Sequence, residues 1–213
     1  VFNLADKYQL PAIILSDLLI SDETSTIDPE ILDLQPVIDR GELITEAGED
    51  AGNYERYKFT DSGISPRALP GIPGYEHVVA TDEHMPDGVL ISDEFTHPHK
   101  RRAMLEKRQR KMDGLLADLP PPAIVGDADA EVTLVGWGST AGVIQEAIGQ
   151  LAQVGVSVNH LHFKWLVPFH ADEANQLLSS CKHTIIVENN YSGLFHRYLR
   201  GETGFTVDGH IRK

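Results

Sequence analysis

The pattern of apolar and polar positions is most regular between Glu131 and Asn190, where it reads as strand, helix, strand, helix, strand. Glu131-Val-Thr-Leu-Val-Gly136 is a short apolar run, β-branched at Val132, Thr133 and Val135, and it ends in the turn Gly136-Trp-Gly-Ser-Thr140. Thr140 to Val154 places Val143, Ile144, Ala147, Ile148 and Leu151 at helical spacing, with Gly155 as a stop signal. Val156 to Trp165 alternates as a strand does, Asp172 to Cys181 predicts a second helix, and His183 to Glu188 a third, fully buried strand. Strands separated by helices of this length imply parallel pairing with right-handed crossovers. The expected fold class is therefore α/β, with a doubly wound, mostly parallel sheet of at least three strands from residue 131 onward.

The first half is less regular. Val1 to Gln9 reads as the back half of an amphipathic helix, with Phe2, Leu4, Ala5 and Tyr8 apolar and no N-cap residue ahead of them. Pro11-Ala-Ile-Ile-Leu-Ser-Asp17 predicts a buried strand. Ser21 to Tyr54 is acidic and broken by Pro29 and Pro36, which suits an extended connection. Tyr57 to Gly74 carries three prolines and three glycines and is expected to be an irregular loop with fixed turns. His97 to Leu119 is the longest helical segment, and Met104, Arg108, Met112, Leu115, Leu116 and Leu119 would form its apolar stripe. Its basic residues Lys100, Arg101, Arg102, Lys107, Arg108, Arg110 and Lys111 suit either a phosphate- or partner-binding face or a solvated face balancing acidic neighbours. Pro120-Pro-Pro122 ends the helix and stiffens the link to the regular half.

Composition narrows the functions. The formal charge is −14, from 32 acidic against 18 basic residues, which argues against nucleic-acid or anionic-membrane partners because phosphates must be neutralised by Lys and Arg. The single cysteine, Cys181, can form no internal disulfide and cannot alone ligate an iron–sulfur cluster, which usually takes four thiolates. No apolar run is long enough to span a membrane and no signal peptide is visible, so a cytoplasmic location is the default expectation.

The candidate chemistry is sparse. Gly138, Ser139 and Thr140 lie between a strand and a helix, where exposed amides and the helix dipole favour an anion, yet the turn is neither a dinucleotide fingerprint nor a P-loop. Ser139 or Thr140 could equally cap the helix. His160 and His162 share a strand face, but a third ligand at suitable spacing is not evident, and Asp82-Glu-His84 and His97-Pro-His99 have the same weakness; no metal site is assigned. Glu188 and Asn189 follow a buried strand, at the edge where open α/β sheets place ligands or partners; a polar turn is the competing reading. No nucleophile elbow is present.

Taken in order, Tyr57-Lys58 with Gly63-Ile-Ser-Pro-Arg-Ala68 and Pro70-Gly71, Asp82-Glu-His84, the charged helix around Glu106-Lys-Arg108 and Lys111, Leu134-Val-Gly-Trp-Gly-Ser-Thr140, and Val187-Glu-Asn189 with Gly193 resemble the α subunit of 2-oxoacid:ferredoxin oxidoreductases, most closely the 2-oxoglutarate type. Phe2-Asn-Leu-Ala-Asp-Lys-Tyr8 and Ser16-Asp17 share the resemblance, which runs over essentially the whole chain. It implies oxidative decarboxylation of a 2-oxoacid to the acyl-CoA, with thiamine diphosphate, Mg²⁺ and iron–sulfur clusters in the whole enzyme, none of them in this chain. It implies a β subunit and ferredoxin as partners. Residues 1–20 would close the thiamine-diphosphate pyrimidine-type domain, 21–123 would be connecting loops and the charged helix, and 124–213 a transketolase C-terminal-like domain. The family segments that approach substrate and cofactor would precede Val1, so the isolated chain is expected to be inactive. Where the family has Asn-Gly-Gln this chain has Ser192-Gly193-Leu194, so a glutamine amide contact would be missing. Arg67, in a loop fixed by Pro66 and Pro70, is the candidate to reach an anionic group at the interface; an ion pair with a nearby carboxylate is the alternative. The competing class is a stand-alone α/β module holding a phosphorylated ligand at Gly138 to Thr140.

Overall fold

The structure, a computed structural model, describes residues 1–91 and 97–212. In chain order its elements are α1 (Phe2–Tyr8), α2 (Leu18–Asp22), a 3-10 turn (Pro29–Ile31), β1 (Leu43–Ile44), β2 (Arg67–Ala68), α3 (Pro98–Asp118), β3 (Ile124–Val125), β4 (Val132–Trp137), α4 (Thr140–Gln153), β5 (Val158–Phe163), α5 (Ala171–Ser180), β6 (Thr184–Glu188), α6 (Leu194–Thr203) and β7 (Gly209–Arg212). They fall into two compact units, one of Val1–Ile13 with Asp28–Asp118, the other of Ile14–Ile27 with Leu119–Lys213.

In the first unit α1 docks on α3. The Tyr8 ring is buried, and its hydroxyl lies 3.0 Å from the Gly114 carbonyl and 2.6 Å from Asp118 Oδ2, which also accepts from Lys7 Nζ. Burial, reinforced by the Asp118 carboxylate, pushes the Tyr8 phenol up to about 12. The loop after Tyr57 lies on the other turns of α3. Gly63, at φ +77°, has Lys107 O only 2.2 Å from where a Cβ would be, so a side chain there would force the loop off the helix. β1 and β2 form a short parallel pair, Leu43 opposite Arg67.

Two sequence expectations are corrected in this half. The fully buried residues of α3 are Met104, Lys107 and Lys111. Of the expected stripe Met104 and Leu119 are buried and Arg108, Met112, Leu115 and Leu116 half-buried, so the stripe stands, and what the sequence missed is that Lys107 and Lys111 join it. At Gly63 the loop backbone lies close against the Lys107 carbonyl and the Lys111 stem, while the Arg108 guanidinium makes a two-pronged ion pair with buried Glu83 at 3.0 and 2.7 Å. Lys107 and Lys111 therefore leave the solvated face, and desolvation, helped by like charges, lowers both ammonium groups, Lys107 to about 8. Pro11 to Asp17 forms no strand, and Ile13 and Ile14 are 83% and 72% exposed. Among the described residues no strand pairs with this segment, so its backbone groups have no ladder that would allow them to be buried.

The second unit carries a five-stranded sheet of order β3-β5-β4-β6-β7, parallel throughout except for the short antiparallel edge strand β3. This is the doubly wound, mostly parallel sheet that the periodicity implies. Alternation divides its faces. Val135, Leu161, Phe163 and Ile186 point to the side of α5 and α6, where they pack with Phe169, Ala174, Leu178, Phe195 and Leu199. Fully burying an aliphatic or aromatic side chain of this kind contributes about 1.5–3 kcal/mol, so this face holds the unit together. On the opposite face α4 lies so close that a Cβ at Gly136 would sit 2.5 Å from Ile144 Cδ1. The expected strand boundaries shrink, Val156–Trp165 to Val158–Phe163 and His183–Glu188 to Thr184–Glu188, because only those residues have ladder partners.

Candidate functional site

Parallel pairing of β4 with β6 puts their carboxyl ends, and so the β4–α4 and β6–α6 turns, on one edge of the sheet. Gly138, Ser139, Thr140, Glu188 and Asn189 are thereby brought to the same edge. Arg67 belongs to the other unit.

The β4–α4 turn is closed by Thr140, whose Oγ1 donates to the Trp137 carbonyl at 2.8 Å and accepts from the Trp137 N–H at 3.1 Å. Gly138 takes φ +56°, a left-handed value that glycine adopts without strain. Ser139 stands in the N-cap position but makes no capping bond. Its hydroxyl donates instead to a carboxylate oxygen of Asp17, whose other oxygen accepts from Ile20 N–H and caps α2. The Ile20 amide, and then the Ser139 hydroxyl, hold the Asp17 carboxyl below the usual carboxylate range. A negative side chain of the protein itself thus stands at the start of α4, where the helix dipole favours one. Nothing in the local sequence announces this contact, since its partners are 122 residues apart.

The β6–α6 turn is organised by Glu188, which is 2% exposed. Its carboxylate accepts from Phe195 N–H at 2.8 Å, His196 N–H at 3.0 Å and Asn190 Nδ2 at 2.8 Å, and stands 3.3 Å from His210 Nε2. Asn190 in turn accepts from Leu194 N–H at 3.0 Å. Glu188 is therefore the cap of α6 supplied from the preceding strand, and the polar-turn reading describes it. Gly193 at φ +64° lies against His210, with 2.5 Å between its missing Cβ and His210 Cε1. Asn189 is exposed beside this turn.

His160 and His162 face the α4 side of β5 with rings 5.1 Å apart. Burial lowers His160, and burial, then the charges of His160 and Lys164, brings His162 down to about 4. Both are neutral imidazoles near neutral pH. Among the described residues no group of three or more His, Cys, Asp or Glu could hold a metal ion. In the first unit Arg67 Nη2 pairs with Asp6 at 2.9 Å, next to the Arg40–Asp6 pair, also at 2.9 Å. The Tyr54 hydroxyl holds the loop around it, donating to Pro66 O at 2.9 Å and accepting from Ala68 N–H at 3.3 Å. Among the described residues no helix is long and apolar enough to cross a membrane. At the sheet edge, then, Ser139 is engaged with Asp17, Thr140 with the Trp137 backbone and Glu188 with backbone and side-chain amides.

Comparison with known proteins gives this architecture a family. Residues 130–208 match the pyruvate:ferredoxin oxidoreductase core domain II. The chain is 33% identical over 221 residues to the α subunit of 2-oxoacid:ferredoxin oxidoreductase 2 of Aeropyrum pernix, covering 100% of this chain and 32% of that subunit. It is 32% identical over 202 residues to the 2-oxoglutarate oxidoreductase subunit KorA of Mycobacterium tuberculosis, covering 94% of this chain and 29% of that one. Among solved structures, the 2-oxoglutarate:ferredoxin oxidoreductase of Magnetococcus marinus, with 2-oxoglutarate, coenzyme A and succinyl-CoA bound, superposes with a TM-score of 0.81 at 29% identity, over 99% of this chain and 36% of that chain. The chain spans about a third of the length of these relatives. It is a homologue of the α subunit of 2-oxoacid:ferredoxin oxidoreductases, corresponding to the part that carries core domain II.

Proposed function

We propose that this chain serves as the supporting portion of the α subunit of a 2-oxoacid:ferredoxin oxidoreductase, with 2-oxoglutarate as the oxoacid. The whole enzyme would decarboxylate the oxoacid oxidatively to its acyl-CoA and pass the electrons to ferredoxin. The observation that carries this reading is the superposition of nearly the entire chain, loops included, on a 2-oxoglutarate:ferredoxin oxidoreductase. In this reading residues 1–20 complete a pyrimidine-type domain, 21–123 connect, and 124–213 form the transketolase C-terminal-like domain. Exposed Ile13, Ile14 and Leu15 are then the apolar residues that such a domain would cover.

The residues of this chain do not fit the cofactors of the whole enzyme. A lone cysteine cannot supply the thiolates of a cluster, and Glu188, the one carboxylate buried at the sheet edge, is already committed to two backbone amides and a side-chain amide. Thiamine diphosphate, Mg²⁺ and iron–sulfur clusters would be held elsewhere in the assembly, along with the β subunit's contribution. This chain's part is to orient an interface. Arg67 and Asn189 would face partners, Gly138 to Thr140 would present a rigid turn, and Glu188 would hold the neighbouring turn from inside.

The test is to capture the native assembly with an antibody to this chain, under anaerobic conditions, and assay CoA-dependent reduction of a viologen dye across a panel of 2-oxoacids. Reduction with 2-oxoglutarate in preference to pyruvate or branched oxoacids is expected. An intact capture that reduces the dye with no oxoacid would overturn the assignment.

A further inference from the structure

One cation of α3 is enclosed without a counter-charge. Lys107 is 5% exposed, and among the described residues its Nζ has neither an ion-pair partner nor a hydrogen bond. The charged groups around it each have a contact of their own. Arg108 forks onto Glu83, Lys111 Nζ donates to Gln9 O at 3.1 Å, Arg110 Nη2 donates to Thr60 O at 3.3 Å, and the Arg56 guanidinium lies 5.1 Å from the centre of the Tyr57 ring. Spacings of three and four put Arg110 and Lys111 on the Lys107 side of the helix, and the loop backbone at Gly63 lies against that same side. Four cations are therefore held about a fifth that nothing neutralises. Buried charges are normally paired, so this amine either sheds its proton or acquires a negative group. Desolvation, then the charges of Lys111, Arg56, Arg108 and Arg110, bring it down to about 8. A neutral amine with no hydrogen-bond partner is a nucleophile, and the cations beside it favour any negative charge built on its nitrogen.

We propose that Lys107 is a site of reversible carbamylation by carbon dioxide, its carbamate stabilised by Arg56, Arg108, Arg110 and Lys111. The amine lone pair forms a bond to the carbon, one C=O π pair moves onto oxygen, and an amine proton leaves to solvent. Nothing is oxidised or reduced, and loss of carbon dioxide reverses the step. The product is an anion, so the modification itself supplies the counter-charge that the cluster lacks. Carbon dioxide is small and uncharged, and it enters an enclosure that desolvates a cation without the cost of stripping an ion of its water. The decarboxylation proposed above would release this reagent beside the chain and make Lys107 responsive to its product. The modification needs only dissolved carbon dioxide, so it stands or falls separately from that reading.

The experiment equilibrates the full chain with ¹³C-labelled bicarbonate at about pH 8, traps carbamates as esters with a trialkyloxonium salt and locates the label by peptide mass spectrometry. An amine at about 8 is half neutral there, roughly a hundredfold more than an ordinary lysine near ~10.4. Lys107 is therefore expected to carry at least roughly ten times the label of exposed Lys58 and Lys164 in the same molecules. A ¹³C carbonyl resonance that disappears in Lys107→Met should accompany it. Arg110→Gln, which removes an exposed cation acting on the amine, should lower the occupancy several-fold, whereas Arg101→Gln, also exposed on α3, should leave it unchanged. No label on Lys107, label no greater than on Lys58, or an unchanged occupancy in Arg110→Gln would each overturn the proposal.

Discussion

Replacing Glu188 tests whether the sheet-edge carboxylate is a cap rather than a reactive group. In the native fold it satisfies two α6 amides and the Asn190 side chain from a position 2% exposed. Glu188→Gln keeps the shape and one carbonyl oxygen but turns the other acceptor into an NH₂ that faces donors. One charge-assisted hydrogen bond of about 1.5–3 kcal/mol is lost, so a destabilisation of roughly 2 kcal/mol is expected. Glu188→Ala removes every acceptor and leaves the helix start bare in a buried place. Since such losses are not additive, roughly 3–4 kcal/mol is the expected size. Both tryptophans, Trp137 and Trp165, lie in the second unit, and Trp137 packs 5.8 Å from Phe195 of α6, so tryptophan fluorescence during urea unfolding reports on this unit. A Glu188→Gln protein within ~0.5 kcal/mol of the parent would refute the capping account, because surface changes alone stay within that range.

Other consequences are equally direct. His162 titrates near 4 in the fold and near ~6.5 when unfolded, so the unfolded chain binds more protons between these limits and the second unit loses stability as pH falls from about 6.5 towards 4. With allowance for solvent screening the loss is roughly 2 kcal/mol, and unfolding curves of His162→Asn at pH 5 and 7 should show a flatter dependence; an identical slope would count against it. Gly136→Ala places a methyl 2.5 Å from Ile144 Cδ1 and 2.7 Å from Thr140 Oγ1, and should destabilise by about 1–3 kcal/mol in the same fluorescence assay. Lys107→Met removes a desolvated ammonium but keeps an unbranched apolar side chain at a position that is 5% exposed. Slower amide exchange along α3, corresponding to roughly 1 kcal/mol of stabilisation, is expected; faster exchange would show that the charge is needed there.

Between Glu131 and Glu188 the sequence by itself determined three strands, the two helices between them and their parallel pairing, because each element is set by a period of two or of 3.6 and by local stops such as Gly155, whereas the edge strands β3 and β7 were not read from it. The order of short motifs was enough to indicate the family. Tertiary structure decided what those elements do with their polar groups. Whether Glu188 faced a ligand or a helix start depended on where α6 lay, and the partner of Ser139 came from 122 residues away. Along α3 the periodicity predicted the stripe through Met104 but missed that Lys107 and Lys111 are buried beside it, because the loop backbone at Gly63 covers that side, a contact that hydrophobic scoring penalises. Pro11 to Asp17 carries the pattern of a buried strand without its burial, since a strand is completed by a neighbour's hydrogen bonds and not by its own side chains. Periodicity is a local property of the chain; capping, ion pairing and strand completion are decided by what folds against it.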